Sequence, residues 1–334
     1  MKTKILKILR QNQEEYVSGQ ELCEQLGVSR TAIWKAVKQL KEMGYVIEAV
    51  QNRGYRLIGI PDILSEGEIE SQLHTKWLGH VIYYFDELDS TNTEAKRIAE
   101  TVDNQDWHGA VVVADMQTAG RGRRGRGWSS PHGIGIFFTI LLKPEMDPGN
   151  APMLTLVKAM AVLKGIEEIT GLHPEIKWPN DIVLNGKKIV GILTEMSAQI
   201  DYINHIVVGT GINVHQLEFP EEIAKTATSL DLELRQSGRN IAISRAQLLD
   251  AVLKYFEHYY QIFMQTQDLS ALMEEYHAML ANRGRRVRVL DPLGEYEGTA
   301  LGIDQRGQLL VERNGEIIKV SSGEVSVRGI YGYV

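Results

Sequence analysis

Apolar residues near the start of the chain recur at helical spacing, with Ile5, Leu6 and Leu9 on one face. Ser18-Gly19-Gln20-Glu21 pairs a hydroxyl with a carboxylate three residues on, a capping box that opens a second helix through Leu22 and Leu26 and ends at Gly27. Ser29 caps a third helix, where Ile33, Val37, Leu40 and Met43 share a face while Arg30, Thr31, Trp34, Lys35, Lys38 and Lys41 point elsewhere. Beyond Gly44 the pattern changes to two strand-like runs, 45–50 and 54–57, joined by the turn-prone Gln51-Asn52-Arg53. From about 65 to 283 helical and strand patterns alternate, which predicts mixed α/β or α+β layers. Within them 111–113 and 136–142 are buried strands and 151–169 is a helix with an apolar face. Residues 182–184, Asn185-Gly186 and 188–193 make a tight hairpin, because Asn-Gly accepts the left-handed backbone of its turn. Residues 244–263 form a long amphipathic helix capped by Ser244, with Gln247 three residues on. From Arg286 short strands are punctuated by turns at 291–294, 304–307 and 314–315, and a small β-barrel fits best. The expected fold class is multidomain α+β, divided at 1–64, 65–283 and 284–334.

The first segment resembles a winged helix-turn-helix. In such a module the second helix enters the major groove, which makes Arg30, Thr31, Trp34, Lys35 and Lys38 the candidate DNA contacts. Charge agrees with this reading. Residues 1–60 carry six Lys and four Arg against six Glu and no Asp, a balance of +4, although the whole chain stands at −7. A basic module on an acidic body points to a polyanion partner for that segment alone. A small helical protein-interaction domain, with Trp34 as a packing residue, is the other reading.

At 334 residues, 43% hydrophobic and 24% charged, the chain can bury a real core. The single cysteine, Cys23, cannot form an internal disulfide, and the start lacks a secretion-signal pattern, so a cytoplasmic protein is expected. No apolar run approaches the ~20 residues that cross a bilayer, so no membrane partner is expected. The nine histidines are scattered, with no HExxH or paired CxxC, so any metal is expected to arrive with a nucleotide.

The most informative stretch is 120–128, Gly-Arg-Gly-Arg-Arg-Gly-Arg-Gly-Trp. Its first six residues match GxGxxG, but a dinucleotide fingerprint needs those glycines to open an apolar helix. Here Trp128-Ser129-Ser130-Pro131-His132-Gly133 follows, which excludes that context. What remains is four guanidinium groups within six residues on a glycine-loosened backbone. Such a loop repels itself, and a triphosphate or acyl-phosphate would order it by filling its forked donors. Nucleic-acid binding by an Arg-Gly segment is the alternative.

This loop, with Ser90-Thr91-Asn92, Gln117, Lys177-Trp178-Pro179-Asn180-Asp181, Lys188 before Gly191-Ile192, and Gly209-Thr210-Gly211-Ile212-Asn213, follows the order seen in biotin protein ligases. With the winged helix in front, the chain resembles the bifunctional biotin ligase and biotin operon repressor over its entire length. The resemblance implies a class II synthetase-like catalytic domain and a C-terminal SH3-like barrel. It also implies activation of biotin by ATP with Mg2+, giving biotinyl-5'-adenylate, then transfer of biotin to a lysine of a carboxylase carrier domain. Lys188, Arg121 and Arg123 are the implied catalytic groups. Ser90, Thr91, Asn92, Gln117, Arg121, Gly122, Arg123, Trp128 and Lys188 are the implied biotin contacts, with Trp128 over the apolar face. Arg123, Arg124, Arg126, Asn180, Asn213, Phe219 and Arg328 are the implied nucleotide contacts, with Phe219 the candidate to stack on adenine. Asp181 is the candidate magnesium ligand, although it can equally orient a neighbour. Repressor members further imply operator DNA as a partner and a homodimer formed with biotinyl-5'-AMP bound. Two other functions remain open at this point: a transcription factor that binds biotin without turning it over, and a lipoate or octanoate transferase.

Overall fold

The computed structural model describes residues 1–12, 15–101, 107–291, 294–323, 325–329 and 333–334. They form two compact units. The first comprises Met1–His74 with Ser244–Gln247, and the second Thr75–Ile243 with Leu248–Val334.

The first unit holds helices α1 (Lys2–Gln11), α2 (Gly19–Leu26) and α3 (Arg30–Glu42), strands β1 (Val46–Val50) and β2 (Gly54–Gly59), and helix α4 (Glu66–Gln72). Both expected caps are present: Ser18 Oγ accepts from Glu21 N at 3.0 Å and Ser29 Oγ from Ala32 N at 3.3 Å. Gly27 stops α2 in the left-handed conformation, φ 65°. Ile5, Leu6, Leu9, Leu22, Ile33, Val37 and Leu40 share one core with Ile47 and Leu57 of the β1–β2 hairpin. Met43 departs from the expected buried face: it caps the C-terminus of α3, where the chain turns toward β1, and is exposed. The unit runs past 64 because α4 belongs to it. Glu68, buried on α4, accepts hydrogen bonds from Arg10 and from the Tyr45 hydroxyl, tying α4 to α1 and to the start of the hairpin.

The second unit is built on a seven-stranded sheet in the order β3-β4-β5-β9-β8-β7-β6. Its strands are β3 (Ile82–Leu88), β4 (Ala110–Gln117), β5 (Gly135–Leu142), β6 (Glu175–Lys177), β7 (Asp181–Leu184), β8 (Lys187–Ala198) and β9 (Ile203–Asn213). Among these described strands only β3 and β4 run parallel. The β7–β8 hairpin turns at Asn185 and Gly186, φ 48° and 75°, the backbone its Asn-Gly pair predicts. Alternate residues of β5 face opposite layers. Thr139 meets Asn92 at the start of α5 (Thr91–Thr101), while Phe138 lies against Lys158 of α6 (Met153–Thr170). Helix α6 is buried nearly all round rather than on one face, and includes Lys158, fully buried between Phe138 and Phe256 of α8 (Arg245–Thr266). Helix α7 (Leu230–Gln236) follows β9, and α9 (Met273–Met279) leads to β10 (Arg286–Leu290), β11 (Tyr296–Ile303), β12 (Leu309–Arg313), β13 (Glu316–Val320) and β14 (Ser326–Gly329). These last five strands form an antiparallel sheet in the order β13-β12-β11-β10-β14. Trp178, fully buried, joins it to the larger sheet by donating its indole N–H to Gly307 O at 3.0 Å. Pro292, Leu293 and Glu324, parts of turns and motifs noted in the sequence, lie outside the described residues.

Candidate active site

Five separate stretches of the second unit meet in one cavity: the start of α5, the end of β4 with the arginine loop, the β6–β7 corner, the β8–β9 floor, and β14 with Tyr333. The loop leaves β4 as an irregular hairpin. Gly122 N donates to Arg126 O at 2.7 Å and Trp128 N to Gly120 O at 2.9 Å. A single 3-10 turn at 123–125 stands where a dinucleotide fold would begin a long helix. At its far end His132 Nε2 reaches Asp86 at 3.2 Å and Asp115 at 3.1 Å, fastening the loop to β3 and β4.

The floor is made of glycines for a steric reason. A Cβ on Gly209 would overlap the Asn92 amide, and one on Gly211 would overlap the Trp128 indole. Their absence lets α5 and Trp128 approach the sheet. Asn92 is then fully engaged: its amide donates to Glu195 at 2.8 Å and Leu193 O at 3.2 Å and accepts from Thr139 Oγ1 at 2.6 Å. Gln117 accepts from Thr91 N at 2.9 Å and donates to Ser130 Oγ at 2.8 Å. Ser90 and Thr91 line the cavity beside them and are almost completely buried.

The electrostatics centre on Asp181, at the start of β7. Lys188 Nζ lies 2.5 Å and Lys177 Nζ 3.8 Å from its carboxylate, and the Tyr333 hydroxyl donates to it. Burial works against the Asp181 charge, but the ammonium groups of Lys188 and Lys177 prevail and keep its pKa below the usual carboxylate range. Burial also pulls Lys177 down to about 8, with Asp181 opposing the fall. Lys188 Nζ stands 5.2 Å from the Trp128 ring centroid, so the loop and the lysine do converge. Arg123 donates to Asn180 Oδ1 at 2.9 Å and to the backbone oxygens of Ser322 and Gly323, and its burial lowers its pKa. It acts as an anchor of the loop as well as a wall of the cavity.

Of the residues singled out from the sequence, Ser90, Thr91, Asn92, Gln117, Arg121, Gly122, Arg123, Arg124, Arg126, Trp128, Asn180, Asp181, Lys188 and Arg328 line this cavity. Asn213 and Phe219 are absent from its lining: Asn213 is buried and spends its amide on Thr228 O at 3.1 Å. Asp181 does not fit a magnesium ion, since two ammonium groups and a hydroxyl already surround it where a cation would have to enter. Lys177 and Tyr333 line the cavity but were not among the expected site residues. The motif around Trp178 contained Lys177, whereas nothing in the pattern marked Tyr333.

On the first unit, Arg30, Thr31, Trp34, Lys35 and Lys38 are all exposed on α3. Lys38 Nζ lies 5.8 Å from the Trp34 ring and 3.9 Å from Glu42.

One unit carries a helix-turn-helix with exposed cations, and the other gathers cations around a cavity, the arrangement of a ligase that also has a DNA-binding module. Comparison with known proteins agrees. Residues 2–56 match the model for an HTH domain, 84–213 the Biotin/lipoate A/B protein ligase family, and 284–328 the Biotin protein ligase C terminal domain. The chain is 42% identical to the bifunctional ligase/repressor BirA of Bacillus subtilis (strain 168), over 97% of each protein. It is 34% identical to a biotin–acetyl-CoA-carboxylase ligase of Mycobacterium tuberculosis, over 70% of this chain and 85% of that one. The structure of the biotin protein ligase from Aquifex aeolicus in complex with biotin and ATP is similar at a TM-score of 0.64 and 33% identity, covering 75% of this chain and 99% of that one. The chain belongs to the biotin protein ligase family, in its bifunctional ligase/repressor form with an N-terminal helix-turn-helix domain.

Proposed function

We propose that the cavity joins biotin to ATP as biotinyl-5'-adenylate and then passes biotin to a lysine of a carboxylase carrier domain. One observation carries this reading: the Lys188 ammonium, the arginine loop and the Trp128 ring meet over a glycine floor. In the first step a biotin carboxylate oxygen bonds to the α-phosphorus, and pyrophosphate leaves with the electrons of the broken P–O bond. Two anions must approach each other, so the site needs cations already in place. Lys188 supplies one at the junction of carboxylate and α-phosphate, and Arg121 and Arg123 supply others. Arg124, Arg126, Asn180 and Arg328 serve the nucleotide. Ser90, Thr91, Asn92, Gln117 and Gly122 surround the biotin head, whose ureido group both donates and accepts hydrogen bonds. Trp128 covers its apolar face. In the second step the carrier amine attacks the acyl carbon and AMP departs, while the closed loop keeps water from the mixed anhydride.

Magnesium enters on the phosphate oxygens of ATP, with no protein carboxylate assigned to it. The exposed cations of α3 take operator DNA, with phosphate contacts setting affinity and groove contacts setting sequence preference. Biotinyl-5'-AMP favours a homodimer that reads a two-part operator, so ligand state sets DNA affinity. Carrier and operator both place this work in the cytoplasm.

The test is incubation with labelled biotin, ATP and a carrier domain. Covalent label on the carrier is expected, and its absence overturns the ligase reading. Preference for lipoate in the same assay would move the chain to lipoate transfer. Sedimentation with and without biotinyl-5'-AMP checks the dimer, and an unchanged mass would remove it.

A further inference from the structure

Asp181 is held by three groups, and of the two ammonium groups among them Lys188 has the more exposed side chain, 25% against 6% for Lys177. Lys188 faces the cavity under Trp128, and the proposed chemistry requires it to turn toward the biotin carboxylate and α-phosphate. Turning away leaves a buried carboxylate with one ammonium at 3.8 Å, and an under-compensated buried charge is strongly unfavourable. Something must take up the load. Tyr333 is placed to do so in two ways at once: its hydroxyl donates to Asp181 Oδ2, and its ring centroid lies 4.0 Å from Lys177 Nζ. Tyr333 stands beyond 284–328, the segment that matches the C-terminal family domain, and outside the motifs that mark the family.

We infer that Tyr333 is a positioning residue for adenylate formation: with Lys177 it holds the Asp181 carboxylate, freeing Lys188 to move onto the substrates. The inference rests on the role proposed for Lys188 in biotin activation. Its physical content is a relay of one ion pair. In the resting site Lys188 and Tyr333 share the carboxylate, one on each oxygen. As Lys188 leaves, the charge-assisted bond from the hydroxyl and the fixed ammonium of Lys177 remain. Burial pushes the Tyr333 pKa up, so the hydroxyl keeps its proton and stays a donor. Without that hydroxyl, Asp181 would retain Lys188 and compete with the substrate for it.

The test uses the full chain with Tyr333→Phe, which keeps the ring, and Tyr333→Leu, which removes ring and hydroxyl. Adenylate formation is followed by biotin-dependent exchange of pyrophosphate into ATP, and transfer by supplying biotinyl-5'-AMP with the carrier domain. Tyr333→Phe should lower kcat for adenylate formation about tenfold, the scale of one hydrogen bond to a charged group, with KM for biotin nearly constant. Tyr333→Leu should lower it further, and for both variants the loss in adenylate formation should exceed any loss in transfer from supplied adenylate. A double-mutant cycle provides the readout that general destabilisation would not move: on an Asp181→Asn background, Tyr333→Phe should cause no further loss. Wild-type exchange in both single variants, or full additivity with Asp181→Asn, overturns the inference. Loss of exchange by the unmodified chain would instead overturn the ligase reading itself.

Discussion

The two units handle anions in opposite ways. On α3 the cations stand in solvent, and Lys38 lies near Trp34 and an exposed Glu42. In the cavity Lys177, Lys188 and Arg123 are recessed while Arg121, Arg124 and Arg126 stay exposed, and a counter-charge is built in: Asp181 beneath Lys188 and Lys177, with Arg123 locked to Asn180 and to backbone oxygens. The contrast follows from what each must do. Holding a phosphate backbone needs charge that can adapt, and desolvation would be wasted there. Bringing a carboxylate to a phosphate needs charge fixed before the reaction begins, and fixing it in a low-dielectric site requires a buried partner.

Substitutions can break this contrast. Lys188→Ala should reduce adenylate formation at least about 100-fold, as loss of a placed charge in an acyl-transfer site does. Operator binding at saturating added biotinyl-5'-AMP should stay intact, and a near-normal exchange rate would remove Lys188 from the chemistry. Arg123→Ala should cost about tenfold in the same step by releasing the loop from Asn180, and limited proteolysis should then cut within 120–128 faster. On the other unit, Arg30→Ala or Lys35→Ala should leave ligation unchanged. Each should weaken operator binding and flatten its log–log salt dependence by about 0.9 for each DNA phosphate that the variant no longer neutralises. Equal loss of both activities would contradict independent modules.

The smallest effect concerns Lys158, which has no hydrogen-bond partner among the described residues and lies 4.1 Å from the Phe138 ring centroid. Burial pushes its pKa well down. The unfolded chain therefore binds a proton that the folded chain does not, and stability rises with pH across the window from the folded value to about 10.4. Lys158→Met should raise Tm near neutral pH by about 2–4 °C for each kcal/mol of penalty removed. The gain should shrink toward pH 10, and a gain that does not change with pH would mean the amine is not the cause.

Local chemistry determined much of this protein. Ser18, Ser29 and Gly27 set helix ends by bonds within a few residues, and Asn185-Gly186 set a hairpin by its own backbone preference. The clustering of Lys188 with the arginine loop was also legible, because each motif carries its own composition. Tertiary structure alone decided the rest. Asp181 reads in sequence either as a metal ligand or as a residue that orients a neighbour, and its place beside two ammonium groups follows only from β7, β8, Lys177 and Tyr333 coming together. Asn213 and Phe219 stand near a ligand-binding glycine motif in sequence yet line no part of the cavity. Whether Lys158 meets water or two phenyl rings is settled by the packing of α6 between β5 and α8. A residue's backbone preference is written in its neighbours along the chain, whereas the state of its charge depends on groups up to 152 positions away, as from Asp181 to Tyr333.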